Sequence, residues 1–172
     1  MNTVSVGTAY AGTMARYNQW MNQQLYELCA TLSDADRKQD RGAFFNSIHG
    51  TLNHLLLADR LWLGRFLQRP FAISSLDQIL YDDFETLRRE RQQTDTEILQ
   101  WAQGLSDEQL ADTFTYTSVV GRQTRTYQLG FLVTHFFNHQ THHRGQLTTL
   151  LSQCGIDPGV TDLLWLPVGN PS

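Results

Sequence analysis

The chain has 172 residues, 41% hydrophobic and 17% charged, with 13 Lys and Arg against 17 Asp and Glu for a formal net charge of -4. That balance excludes an intrinsically disordered chain, and the acidic excess with scattered basic residues argues against a nucleic-acid partner. The length fits one domain spanning 1–172, long enough to bury a substantial core.

No run reaches the length of a membrane span, so no membrane partner is expected. Met1 to Ala11 lacks the basic start and apolar stretch of a secretory leader, and a cytoplasmic location follows as an expectation. Apolar spacing predicts a first helix from about Thr13 to Leu32, with Tyr17, Met21, Leu25, Leu28 and Leu32 on one stripe and Trp20 off it. A second runs from about Ala43 to Gln68, with Phe44, Ile48, Leu52, Leu55, Trp62 and Phe66 inward, and is stopped by Pro70. The third opens at Ser75, where Gln78 completes a capping-box pattern, and reaches Trp101 with Leu80, Phe84, Leu87, Ile98 and Trp101 spaced for burial. Its basic run, Arg88, Arg89 and Arg91, reads as a solvated face.

A second capping box, Ser106 with Gln109, marks a short turn, and between Thr113 and Tyr127 a rough alternation around Val120 and Gly121 predicts a β-hairpin. The fourth helix runs from about Tyr127 to Cys154 and ends at Gly155, with Pro158 beyond. Cys29 and Cys154 fall at apolar helical positions and read as small core residues in a reducing compartment, with a pairing between them left open. The tail from Asp157 to Ser172, with Leu163, Leu164, Trp165 and Leu166, is expected to pack back onto the helices. The fold class is all-α: a four-helix bundle of the up-and-down type with a short β-hairpin before the last helix, its sites built from facing helices.

All six histidines lie on the second and fourth predicted helices, and His135, His139 and His143 repeat at intervals of four. Random placement would give about 0.2 such pairs. Residues four apart sit about 5 to 6 Å apart on one helical face, close enough for two imidazoles to share a metal. A third ligand can come from His49 or His54, but not from both, because five residues turn a helix by about 140°. Gly50, Thr51 and Ala58 flank His54 and would leave space for a ligand pocket. Spacing alone leaves open which pair of the final run binds, and whether these are simply core histidines.

The stretch His139, Gln140, Thr141, His142, His143, Arg144, Gly145, Gln146 resembles the final-helix H-x-x-x-H-R-G-Q signature of the DinB family. Gly50 through Asn53, His54 and Leu55 to Asp59, Arg60 and Trp62 resembles that family's second helix, and Tyr17, Asn18, Gln19, Trp20 its first. The resemblance implies a DinB/YfiT-like bundle holding one divalent metal ion on His54, His139 and His143. His135 and Asp59 would stand behind these ligands, with Arg144 paired to a carboxylate, Asp59 being one candidate. His49 and His142 read as structural, and close helix packing is expected to offset the roughly 1 kcal/mol cost of Gly145 within a helix. The resemblance also implies a homodimer acting on a small-molecule substrate, and kinship with metal-dependent transferases and isomerases that use low-molecular-weight thiols.

Three neutral imidazoles leave a coordination position open and suit Zn, Ni, Fe or Cu. Such an ion can activate water or take up and deprotonate a thiol. Hydrolysis usually needs a positioned base, as in H-E-x-x-H, yet residues 49–63 and 131–147 contain no Glu and one carboxylate, Asp59. The balance favours small-thiol S-transfer, with a metal-dependent hydrolase and a non-catalytic metal-binding stress-response protein as the alternatives. No single residue stands out as catalytic.

Overall fold

A computed structural model of the protein describes residues 7–167. The first residues of the leader reading, the two ends of the expected 1–172 domain and the last part of the tail, at 1–6 and 168–172, lie outside the described residues. Four long helices, α1 (Thr8–Ala30), α3 (Ile48–Phe66), α4 (Phe84–Gln103) and α6 (Leu129–Gln153), form the bundle. Short helices α2 (Asp34–Lys38) and α5 (Asp107–Ala111) lie in the connections, and strands β1 (Thr113–Thr117) and β2 (Thr124–Gln128) pair antiparallel in register Thr113 to Gln128 through Thr117 to Thr124. Among the described residues no helix is long and apolar enough to cross a membrane.

The core divides into two apolar clusters. One joins Tyr17, Met21, Leu25 and Cys29 of α1 to Ile48, Leu52 and Leu56 of α3, Phe84 and Leu87 of α4, and Leu147, Leu150 and Leu151 of α6. The other joins Ala11 and Ala15 to Trp62, Leu63, Ile98 and Ala102 and to Leu132, Val133, Phe136 and Phe137. The start of α1 therefore meets the ends of α3 and α4 and the start of α6, so α1 and α6 run one way and α3 and α4 the other. Each helix packs chiefly on two others, α1 on α4 and α6, and α3 on α6 and α4. The expected up-and-down order is thus corrected: α1 and α3, consecutive in the bundle, stand diagonally. The connection carrying α2 is long enough to cross the end of the bundle, as crossover bundles require.

Other expectations shift for local reasons. The second bundle helix starts at Ile48, not Ala43, because Ser47 caps it by accepting from the Gly50 N–H at 3.0 Å. Helical phase does not extend to residue 44, so Phe44 is 81% exposed and its neighbour Phe45 is buried. The third helix starts at Phe84, where Asp83 accepts from the Thr86 N–H. The Ser75/Gln78 box is not formed; the Gln78 side chain instead accepts from the Ser74 N–H and hydroxyl within a loop. The Ser106/Gln109 box is formed and opens α5.

Trp20 packs on Tyr17 and the first cluster and stays partly exposed. Cys29 and Cys154 are both unpaired thiols. The tail packs back through Leu166, while Leu164 and Trp165 are exposed.

Candidate metal centre

His54 projects from the middle of α3, and His139 and His143 from the facing turns of α6. His139 Nε2 lies 3.4 Å from His54 Nε2 and 3.1 Å from His143 Nε2. All three nitrogens fall within 4.8 Å of one another. A tetrahedral ion with bonds of about 2.0 to 2.1 Å holds its donor nitrogens about 3.3 Å apart, so the donor spacing fits such an ion. The three histidines are positioned to hold a metal ion.

Hydrogen bonds set the tautomers. His54 Nδ1 is 2.8 Å from the Leu76 carbonyl, which can only accept, so Nδ1 carries the proton and Nε2 keeps its lone pair. His143 Nδ1 donates in the same way to Gln146 Oε1 at 2.7 Å. Burial, reinforced by the neighbouring imidazoles, depresses the His139 pKa to about 3, and burial likewise lowers His143 to about 4. His54 is also pushed down by burial. All three rings are therefore neutral near pH 7, the form that ligates.

Local chain geometry builds this arrangement. A Cβ on Gly50 would lie 2.1 Å from the Phe45 carbonyl oxygen. The missing side chain is therefore filled by the backbone of the 39–47 loop, which corrects the expectation of free space there. This approach lays the Phe45 ring on the His54 imidazole, centroids 3.8 Å apart and 16° from parallel. Asn53 pins the opposite loop: its Oδ1 accepts from the Leu80 and Tyr81 N–H groups, and its Nδ2 donates to the Tyr81 carbonyl. That loop delivers the Leu76 carbonyl to His54. His49 is turned away from the centre, with Nε2 2.9 Å from the Tyr81 carbonyl, and His142 is exposed beside Gln146.

Beside the triad a cleft of about 220 Å³ is lined by His54, Ala58, Trp62, Arg65, Tyr116 and His135, among others, and by the hairpin turn at Ser118 to Val120. His135 sits with its ring centroid 6.1 Å from that of His139 and 5.2 Å from that of Trp62, outside the three-nitrogen cluster. Among the described residues no carboxylate lines this cleft.

Asp59 and Arg144 are not partners. Both belong to a buried polar layer between the two apolar clusters, to which every bundle helix contributes. Asp59 accepts from Arg91 Nη1 at 2.7 Å and from Gln140 Nε2 at 2.9 Å. Arg91 Nη2 lies 2.8 Å from Asp95, which accepts from Asn18 and Asn22. Arg144 donates to Asn18 Oδ1 and lies over the Tyr17 ring. Two arginines and two aspartates balance in charge, as buried ions must. Arg91 is 2% exposed, which corrects the reading of its run as a solvated face. It occupies the inward stripe of Phe84, Leu87 and Ile98, a phase visible in the sequence. Gly145 is also corrected: nothing lies within 4 Å of a Cβ built there, so helix packing does not require glycine.

Sequence reasoning missed Phe45, Gln146 and the Leu76 carbonyl. Gln146 was legible as the last residue of the quoted motif, three positions after His143. Phe45 and Leu76 lie on loops whose placement has no local signal.

The chain matches the DinB family over residues 1–170. It is 26% identical over 160 residues to Protein DinB of Bacillus subtilis (strain 168), a match covering 89% of this chain and 91% of that protein. Among solved structures it is similar to a DinB-like protein from Bacillus cereus ATCC 10987, with a TM-score of 0.62 at 20% sequence identity, covering 82% of this chain and 91% of that one. At that identity the likeness shows the shared fold.

Proposed function

The chain belongs to the DinB family, and from that premise we propose that it is a metal-dependent enzyme of the small-thiol S-transferase type, with one divalent ion held by His54, His139 and His143. The observation that carries this reading is the convergence of three neutral imidazole nitrogens beside a cleft that has no carboxylate among the described residues. Bound there, an ion supplies Lewis acidity, which lowers the pKa of a thiol or water that it takes up.

The chain's own groups favour the thiol. Asp59, the one carboxylate near the ligands in sequence, is committed to Arg91 and Gln140 and cannot serve as a base. A thiol needs no such base, because its proton is already far more acidic than that of water. The Trp62 and Tyr116 rings and the hairpin turn give the cleft an apolar wall suited to a small organic molecule. A hydrolase would have to draw its base from His135, the one histidine of this lining outside the triad, since among the described residues no carboxylate reaches the cleft.

His54→Ala, His139→Ala and His143→Ala should each lose the ion, while His49→Ala and His142→Ala should keep about one per chain. Elemental analysis that finds no difference among the five would defeat the ligand set. Adding a small thiol to the cobalt-substituted protein should produce a sulfur-to-metal charge-transfer band that His54→Ala lacks. Metal-dependent ester or amide turnover without such a band would favour the hydrolase.

A further inference from the structure

Among the described residues Arg65 is the one Lys or Arg in the cleft lining. Its guanidinium carbon stands 4.6 Å from the centroid of Trp62 and 4.8 Å from that of Tyr116, so two aromatic faces hold the planar group in place. Arg65 Nη2 donates to the Thr117 carbonyl at 3.1 Å, tying the side chain to strand β1. Among the described residues that carbonyl is its sole hydrogen-bond partner, and none of the ion pairs involves it. The side chain is nevertheless partly buried, which disfavours its charge.

A preorganised, half-desolvated guanidinium without a counter-charge, at the wall of an apolar cleft, is a recognition group with one partner missing. A guanidinium prefers planar, bidentate acceptors. One cation matches one negative charge, so a carboxylate fits better than a doubly charged phosphate. The cleft, at about 220 Å³, lies below the roughly 300 to 1,000 Å³ of drug-sized sites, which limits the occupant to a small molecule.

We propose that the cleft binds a small organic carboxylate, with Arg65 pairing with the carboxylate and the Trp62, Tyr116 and Val119 side chains packing on its apolar body. This deepens the proposed function, resting on the reading that this cleft is its substrate site, and it names the class of molecule that the site takes. Arg65 is a specificity residue here and takes no part in bond making.

The test compares two nearly isosteric probes, the anionic 3-phenylpropanoate and the neutral 3-phenylpropanamide, titrated calorimetrically into the zinc-loaded and metal-free proteins. The wild type should bind the carboxylate at least about tenfold more tightly, and Arg65→Gln should bring the two probes within about twofold. Arg65→Lys should retain part of the preference, and both variants should match the wild type in metal content and remain folded at the titration temperature, with a melting temperature lowered by the lost Trp62, Tyr116 and Thr117 contacts. Equal binding of the probes by the wild type would overturn the proposal. A preference that survives in Arg65→Gln would overturn it as well, since the carboxylate would then be held by the ion or by another group. The thiol reading fails separately: a cobalt-substituted protein that gives no charge-transfer band with the uncharged 3-mercaptopropanol would sink it while leaving the calorimetric result standing.

Discussion

One substitution made at two glycines should act with opposite sign. Gly145 is exposed, lies within α6, and has nothing within 4 Å of a built Cβ. Gly145→Ala therefore gains helix propensity of about 1 kcal/mol at no packing cost. For a chain of this size that corresponds to a melting temperature higher by about 2 to 4 °C. At Gly50 the added Cβ would stand 2.1 Å from the Phe45 carbonyl oxygen, an approach that real Cβ atoms do not make. The 39–47 loop would have to retreat by about 1 Å, and such overpacking costs about 1 to 3 kcal/mol. The retreat also lifts the Phe45 ring from His54, so Gly50→Ala should weaken metal retention while Gly145→Ala leaves it unchanged. Thermal unfolding followed by circular dichroism, with metal content after dialysis against a chelator, measures both effects. A destabilised Gly145→Ala, or a Gly50→Ala protein equal to the wild type in both measurements, would refute the reasoning.

Arg91→Met leaves two buried carboxylates without their shared cation and should cost about 3 to 5 kcal/mol in urea unfolding, against less than about 0.5 kcal/mol for the exposed Arg89→Met. Equal effects would show that the polar layer is not coupled to stability. The metal-free protein should lose stability as pH falls from about 6.5 toward 4: the ligand histidines keep low pKa values when folded, so the unfolded chain binds more protons across that window and is favoured as pH drops. Urea midpoints measured from pH 7 to pH 4 should fall less steeply in His139→Ala than in the wild type; parallel slopes would remove the trapped-neutral imidazoles as the cause. A homodimer, expected from the family resemblance, should give twice the chain mass in light scattering at micromolar concentration, and a monomer mass would end that expectation.

The helices and the hairpin were legible because each writes a local period or cap into the sequence. Ser106 with Gln109 forms its capping box, and the alternation from Thr113 to Tyr127 contains β1 and all of β2 but its last residue, Gln128. The intervals of four among the histidines put two imidazoles on one face of α6, and the family motif paired them with His54. The loops escaped for a physical reason: Phe45 is buried and Phe44 exposed because a positive φ at Asn46 (64°) and the Ser47 cap end helical phase there. The Ser75/Gln78 pattern misled because Asp83 caps α4 eight residues later. Arg91 shows the opposite failure, since its inward phase was visible but composition argued for solvent. Helix order was hidden for another reason: diagonal crossing depends on how connections traverse the bundle end, which no periodicity records.

The three imidazoles come from two helices, and His54 and His139 are 85 positions apart. The His139/His143 pair exists in any helical copy of α6 and offers a stray ion only a weak two-point grip. The third donor arrives once α3 has docked against α6, with α4 and the hairpin folded in the intervening loop. Closing so long a loop is among the slower events of folding. Under the proposed ligand set, tight loading would therefore follow the docking of α3 on α6, and the ion would stabilise the assembled bundle without guiding its early steps. The matched charges of the polar layer would then set the relative height of the two helices beforehand, so that uptake of the proposed ion would be an inspection step that only a correctly registered bundle passes.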